Sequence, residues 1–289
     1  MKTQFTLLTV VLAFGLQPSA RLHAATTIDA TNRYAYAANL GWVDARGDTN
    51  NGAVIGEYVC SGYLYSANAG WINLGSGAPA NQIQYQNNSA TDFGVNQDGL
   101  GNLTGYAWGA NIGWITFEPT YGQPRVNLLT GQLSGSVWSA NCGWISLSNA
   151  VASVQTVAIQ QGPLAPDGLP VAWLLQNFGT TNVDANADPD HDGASNLQEY
   201  LAGTDPNNAG SVLRITSFQR GLAGDPSRLD MVWTSVASRQ YAIQYRDDLT
   251  ANRWADFVVF PWPGANNAAW NDTSDKGFYR IRAFRPLMP

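Results

Sequence analysis

The sequence is short of charge, of histidine and of cysteine. Only 12% of its 289 residues are Asp, Glu, Lys or Arg, about half the usual share. Sparse charge and a formal balance of −6 exclude the dense basic surface that nucleic acid demands. Of the two histidines, His23 falls in an N-terminal leader and His191 inside an acidic loop. A Ser-His-Asp or Cys-His constellation therefore has no free imidazole to use. Two cysteines, Cys60 and Cys142, cannot make a zinc cluster. No glycine-rich phosphate loop occurs, and no apolar run reaches the roughly 20 residues that span a bilayer.

What is there begins with a targeting segment. Lys2, the apolar run from Phe5 to Leu16, the break at Pro18 and Ser19 and the small residues Ala24 and Ala25 read as a secretory signal peptide over 1–24. Its removal loses Lys2 and Arg21 and no acid, which takes the formal charge from −6 to −8. The expectation is an exported protein, secreted or periplasmic, without membrane insertion. In an oxidising compartment Cys60 and Cys142 either form a disulfide or remain two buried thiols. A bridge between them would stabilise the fold by about 4 kcal/mol.

Charge divides the rest into three. Residues 25–160 hold three Arg, no Lys and seven acids; 161–210 hold seven acids and no base; 211–289 hold ten bases and seven acids. The stretch from Gly162 to Pro170 is rich in Gly and Pro, as linkers between domains are.

Residues 25–160 carry an internal repeat. Four segments align in register: Tyr34-Ala-Tyr-Ala-Ala-Asn-Leu-Gly-Trp-Val43, Tyr63-Leu-Tyr-Ser-Ala-Asn-Ala-Gly-Trp-Ile72, Tyr106-Ala-Trp-Gly-Ala-Asn-Ile-Gly-Trp-Ile115 and Ser136-Val-Trp-Ser-Ala-Asn-Cys-Gly-Trp-Ile145. Asn and Gly tolerate the positive φ of tight turns, and aromatic and β-branched flanks suit strands, so each unit reads as a β-hairpin. A three-residue loop would put Trp138 and Trp144 on one face; a two-residue loop would split them. Four hairpins predict an all-β domain, a pseudo-symmetric sandwich or barrel. The pattern resembles a tandem Gly-Tyr-Ala-Trp-Ser-x-Asn-Ile-Gly-Trp-Ile repeat of exported bacterial proteins, which implies a fold unit and export rather than an activity. One Trp per repeat at a fixed position (Trp42, Trp71, Trp114, Trp144) favours a core role at the hairpin base. The alternative is exposed indoles that stack on sugar rings. Asn39, Asn68, Asn111 and Asn141 are explained by turn geometry.

The second region contains Asp188-Pro-Asp190-His-Asp192-Gly193-Ala-Ser-Asn196-Leu-Gln-Glu199. Acids at positions 1, 3, 5 and 12, with Gly at 6, match a 12-residue calcium loop. Asp188, Asp190, Asp192, the Ala194 carbonyl, Asn196 and Glu199 are the candidate ligands, and Ca²⁺ the expected cofactor. Asp184, Asn186 and Asp205 are further oxygens for a second ion. Pro170 to Phe178 reads as a helix stopped by Gly179, and Ser195 with Gln198 as a capping box for a second helix stopped at Gly203. Trp173, Leu174 and Phe178 are expected to pack on Leu197, Tyr200 and Leu201. The gap between Gly179 and Asp188 departs from an EF-hand. The segment is more similar to thrombospondin type-3 and dockerin-like calcium loops, a resemblance that implies structural calcium between domains.

Residues 211–289 alternate at period two, with Leu229, Met231 and Trp233, then Tyr241, Ile243 and Tyr245, then Tyr279, Ile281 and Ala283 on shared faces. Six or seven strands, with turns at 247–249 and 272–275, predict an immunoglobulin-like β-sandwich. It is similar to a module found after such calcium loops in exported bacterial proteins. Arg280 and Arg282 lie opposite, on a solvated face or a polyanion site. The fold class is therefore mainly β: a four-hairpin repeat domain (25–160), a two-helix calcium linker (161–210) and a sandwich (211–289).

The expected function is a non-catalytic structural or adhesive protein of the cell exterior, rigidified by Ca²⁺, with a polysaccharide or cell-surface protein as partner. A carbohydrate-binding protein is the alternative. A glycoside hydrolase would need two facing carboxylates. Glu57, Glu118, Asp44, Asp92 and Asp98 are available for that, without a recognisable context.

Overall fold

A computed structural model describes residues 26–288 apart from 49, 222–223, 249, 251–252, 262–263 and 273–276. The leader lies outside the described residues, as do part of the turn at 247–249 and most of that at 272–275. The chain is mainly β. Its first hairpin is β1 (Ile28–Ala37) and β2 (Gly41–Asp44), its second β3 (Ser61–Ser66) and β4 (Gly70–Ser76). β5 (Val95–Gln97) flanks the third, β6 (Leu103–Gly109) and β7 (Gly113–Phe117). β8 (Arg125–Val126) and β9 (Leu133–Ser134) form a short ladder before the fourth, β10 (Ser136–Ser139) and β11 (Gly143–Ser146). β12 (Ser153–Thr156) returns to β1. The order β11-β10-β7-β6-β4-β3-β2-β1, with β11 also paired to β1 through Tyr36 and Ser146, closes the four hairpins into a barrel.

Each hairpin has a three-residue loop, read directly from the registers Ala37↔Gly41, Ser66↔Gly70, Gly109↔Gly113 and Ser139↔Gly143. The closing glycines stand at φ 78, 73, 70 and 79°, the left-handed bulge position that such loops require. Alternation then sends Val43, Ile72, Ile115 and Ile145 inward, where all are buried. Trp42, Trp71, Trp114 and Trp144 point outward and remain 44–49% exposed. This corrects the core role expected for the indoles. The inward neighbours at the loop base are Ala37, Ser66, Gly109 and Ser139, all buried. Four hairpin tips converging on one barrel end leave space there for small side chains and none for indole.

The asparagines do more than turn the chain. Asn68 Nδ2 donates to Leu40 O (3.0 Å), Asn111 to Ala69 O (3.1 Å), Asn141 to Ile112 O (3.1 Å) and Asn39 to Cys142 O (3.4 Å). Each repeat thus grips the tip before it, and the fourth is gripped by the first, so the hydrogen bonds form a closed ring. Leu40, Ala69, Ile112 and Cys142 are buried beneath it. Asn111→Ala leaves the Ala69 carbonyl unpaired and Gly113→Ala forces a Cβ into the left-handed region. Each is expected to cost about 1 kcal/mol in thermal or denaturant unfolding.

Cys60 and Cys142 are both buried and both free thiols, so the structure carries the unbridged alternative. Burial pushes the Cys60 thiol up to about 12. The native protein is expected to resist a thiol reagent, and the unfolded protein to consume two equivalents without prior reduction. A bridged chain would consume none.

After the barrel come two helices, α1 (Val171–Phe178) and α2 (Asn196–Ala202), ended by Gly179 at φ 69° and Gly203 at φ 77°. The Ser195–Gln198 capping box is present. Trp173, Leu174 and Tyr200 form a small core with Leu169, Ala165 and Ala185. The expected packing is corrected at Leu197 and Leu201, which are exposed. With two turns, α2 has one buried face, and Asn196, Glu199 and Tyr200 occupy it.

Among the described residues six strands follow: β13 (Ile215–Arg220), β14 (Arg228–Trp233), β15 (Gln240–Arg246), β16 (Ala255–Val259), β17 (Asn267–Asn271) and β18 (Phe278–Phe284). They form two sheets, β13-β14-β17 and β16-β15-β18, which share a core of Met231, Trp233, Tyr241, Ile243 and Phe260. On the outer face Arg246 and Arg280 flank the Trp254 ring at 4.5 Å. Arg280 donates to Gln244 and Arg282 pairs with Asp256.

Candidate functional site

The acidic loop folds by giving away one oxygen of each aspartate. Gly193 N donates to Asp188 Oδ2 (3.0 Å), Asp192 N to Asp190 Oδ1 (3.3 Å) and Ala194 N to Asp192 Oδ1 (2.8 Å). Gly193 at φ 95° supplies the sharp bend. Asn196 is locked likewise, its Nδ2 donating to Asp184 O at 2.8 Å. The second oxygen of each residue is left over. Asp188 Oδ1, Asp190 Oδ2, Asp192 Oδ2, Asn196 Oδ1 and both oxygens of Glu199 are sealed from solvent without a hydrogen-bond partner. Oxygens of Asp188, Asp190 and Asp192 lie within 4.8 Å of one another, and Asn196 and Glu199 are 0% exposed.

Unpaired buried carboxylates are costly, and their mutual repulsion shows in their acidity. Burial, then the charges of Asp190 and Asp192, push the Glu199 carboxyl up to about 7. Burial and Asp192 raise Asp190. The donor set is oxygen throughout, which suits a hard cation of calcium's kind. The residues present fit it: Asp188, Asp190, Asp192, Asn196 and Glu199 would hold the ion, and Ala194 sits at the bend between them. Asp184, Asn186 and Asp205 are exposed and do not join this set. Asp184 Oδ1 accepts from Asn186 N and Asp205 Oδ1 from Asn207 N.

A pH dependence follows. In chelator the folded chain holds the Glu199 proton more tightly than the unfolded chain, whose carboxyl titrates near 4.5. Its contribution to stability is present at low pH and lost as pH rises from about 4.5 to about 7. With saturating calcium the ionised carboxylates are the bound form, and stability is lost as pH falls. The slope of Tm against pH over this window should be more positive in calcium than in chelator. Parallel slopes would contradict the assignment.

The outer barrel surface is a second candidate. Each repeat packs its Trp at a steep angle against the cross-strand aromatic: Tyr36–Trp42 at 5.2 Å, Tyr65–Trp71 at 4.9 Å, Trp108–Trp114 at 4.7 Å and Trp138–Trp144 at 5.2 Å. Interplanar angles of 58–66° make this a belt of tilted rings rather than a flat platform.

The acids available for hydrolysis are engaged elsewhere. Asp44 pairs with Arg33, Asp92 accepts from the Ala80 and Gln86 amides, and Asp98 and Glu118 hold their own turns. Glu57, buried, accepts from Tyr200 OH at 3.1 Å and pairs with Arg285. Sequence reasoning missed this junction. Tyr200 OH also accepts from Gln161 (2.8 Å), and Arg285 lies over the Tyr200 ring at 4.0 Å. Arg239 donates to the last carbonyls of α2, Tyr200 O and Leu201 O, at 2.8 Å each. Barrel, helix and sandwich meet on one tyrosine. The signal in the sequence was Glu57 itself, an acid inside the apolar run Val54 to Cys60, where a buried charge needs a partner.

Compared with known proteins, the chain matches no family model, no curated sequence and no solved structure. Among the described residues no helix is long and apolar enough to cross a membrane.

Proposed function

We propose that this chain is a non-catalytic secreted structural or adhesive protein of the bacterial cell exterior, with its modules fixed in place by calcium in the 188–199 loop. The observation that carries the reading is the set of six sealed side-chain oxygens without partners. A dication supplies the charge that such a set lacks. The second support is positional. Glu199 and Tyr200 are consecutive in α2; one faces the loop and the other joins barrel to sandwich. Ordering the loop orders the helix on which the junction is built. Limited proteolysis of the full chain tests this. Chelation should expose cleavage sites within 161–210 while the barrel survives as a fragment. Digestion patterns that do not respond to calcium would contradict it.

The exposed indoles favour a second reading, carbohydrate binding, because 44–49% exposure leaves ring surface for a sugar face. The barrel segment is poor in charge, which suits a neutral glycan. The tilted pairs restrict contact to single rings. Intrinsic Trp fluorescence unchanged across a panel of polysaccharides would dispose of this reading.

A further inference from the structure

A cavity of about 320 Å³ lies where barrel, helical segment and sandwich meet. That is the low end of the range for small-molecule sites, about 300–1,000 Å³. Its wall carries an unbalanced buried charge. Arg239 is buried, and among the described residues its guanidinium donates only to neutral oxygens, those of Tyr200, Leu201 and Ser238. Arg285 spends Nη1 on Glu57, Tyr200 and Met288. Its Nε is sealed from solvent and out of a ligand's reach, whereas Nη2 is not sealed and makes no hydrogen bond to a described residue.

Against these two cations the described residues of the wall offer one buried carboxylate, Glu57, which Arg285 and Tyr200 already occupy. Asp98 also lines the cavity, but both its oxygens are taken by the Leu100 amide and by Asn102. The C-terminus of a two-turn helix supplies only a partial negative charge to Arg239. The imbalance lowers Arg239 to about 10, through burial and then the charge of Arg285. The N–H groups of Nη2 offer a carboxylate a charge-assisted contact. Around it stand uncharged polar groups, Gln176 and Asn177, and the ring of Trp173.

We propose that this inter-module cavity binds a small organic carboxylate bearing hydroxyl groups, of the sugar-acid class. The carboxylate sits on Nη2 of Arg285, and the hydroxyls face Gln176 and Asn177. The ligand would supply the missing buried negative charge and tie the three modules together. This does not depend on the calcium reading, and the test is run with the loop saturated with calcium.

Titration calorimetry of the full chain with glucuronate, acetate and glucose is the experiment. Saturable heat is expected from glucuronate, weaker binding from acetate and none from glucose. Arg285→Gln should abolish the glucuronate heat. That variant also loosens the Glu57 contact, so Gln176→Glu, an exposed helix position, provides a second arm. It should fold normally and weaken glucuronate about tenfold by like-charge repulsion. Absence of saturable heat from glucuronate, equal binding of glucose, or glucuronate binding unaffected by Gln176→Glu would each overturn the proposal.

Discussion

Chelation of calcium is expected to lower the unfolding temperature of this protein by several degrees. The free energy at stake follows from mass action. An ion that binds only the folded chain stabilises it by about 2.7 kcal/mol at 100 times its Kd and about 4.1 kcal/mol at 1,000 times. The loop makes that selectivity physical, because oxygens of Asp188, Asp190 and Asp192 come within 4.8 Å of one another in a fold where each has locked its other oxygen to a backbone amide. Loss should be local at first. The barrel has its own core and its ring of asparagine bonds, so a calorimetric scan in chelator should split, with the helical segment and the sandwich leaving before the barrel. A single transition at the same temperature in calcium and in chelator would contradict this.

Glu57→Gln is expected to have the next largest effect, about 3–5 kcal/mol, the usual cost of removing one partner of a buried ion pair. The substitution keeps the shape of the side chain and removes the charge that balances Arg285. Arg239 stands nearby, so two buried cations would remain. Arg285→Gln in the same background should recover part of the loss, because it removes the charge left over. Denaturant unfolding of the two single variants and the double closes a cycle, and additivity within about 0.5 kcal/mol would mean that the pair does not act as a unit.

Features encoded within a few residues were open to reading. The order of acids from Asp188 to Glu199, the Ser195–Gln198 box and the helix stops at Gly179 and Gly203 are all local patterns, and the structure holds the box and both stops where the residues put them. The four hairpins were equally open. The face of their indoles was not, since Asn-x-Gly suits two loop lengths and a one-residue difference sends every side chain to the other face. Regular spacing argued for a core role; the closure of eight strands into a barrel with a crowded end reversed it. Least legible was the junction. Glu57, Tyr200, Arg239 and Arg285 come from four distant segments, and no spacing connects them. Only the anomaly of a lone acid in an apolar run pointed there.

The loop remains the centre of this account, and a direct titration addresses it. Calcium added to the full chain, stripped of metal beforehand, should give saturable heat in a calorimeter with a stoichiometry of one, as the one cluster of aspartate oxygens among the described residues requires. Asp190→Ala should weaken or abolish that heat while leaving the barrel folded. No heat from the unaltered chain, or the same heat from the variant, would mean that the sealed oxygens of the 188–199 loop do not hold calcium.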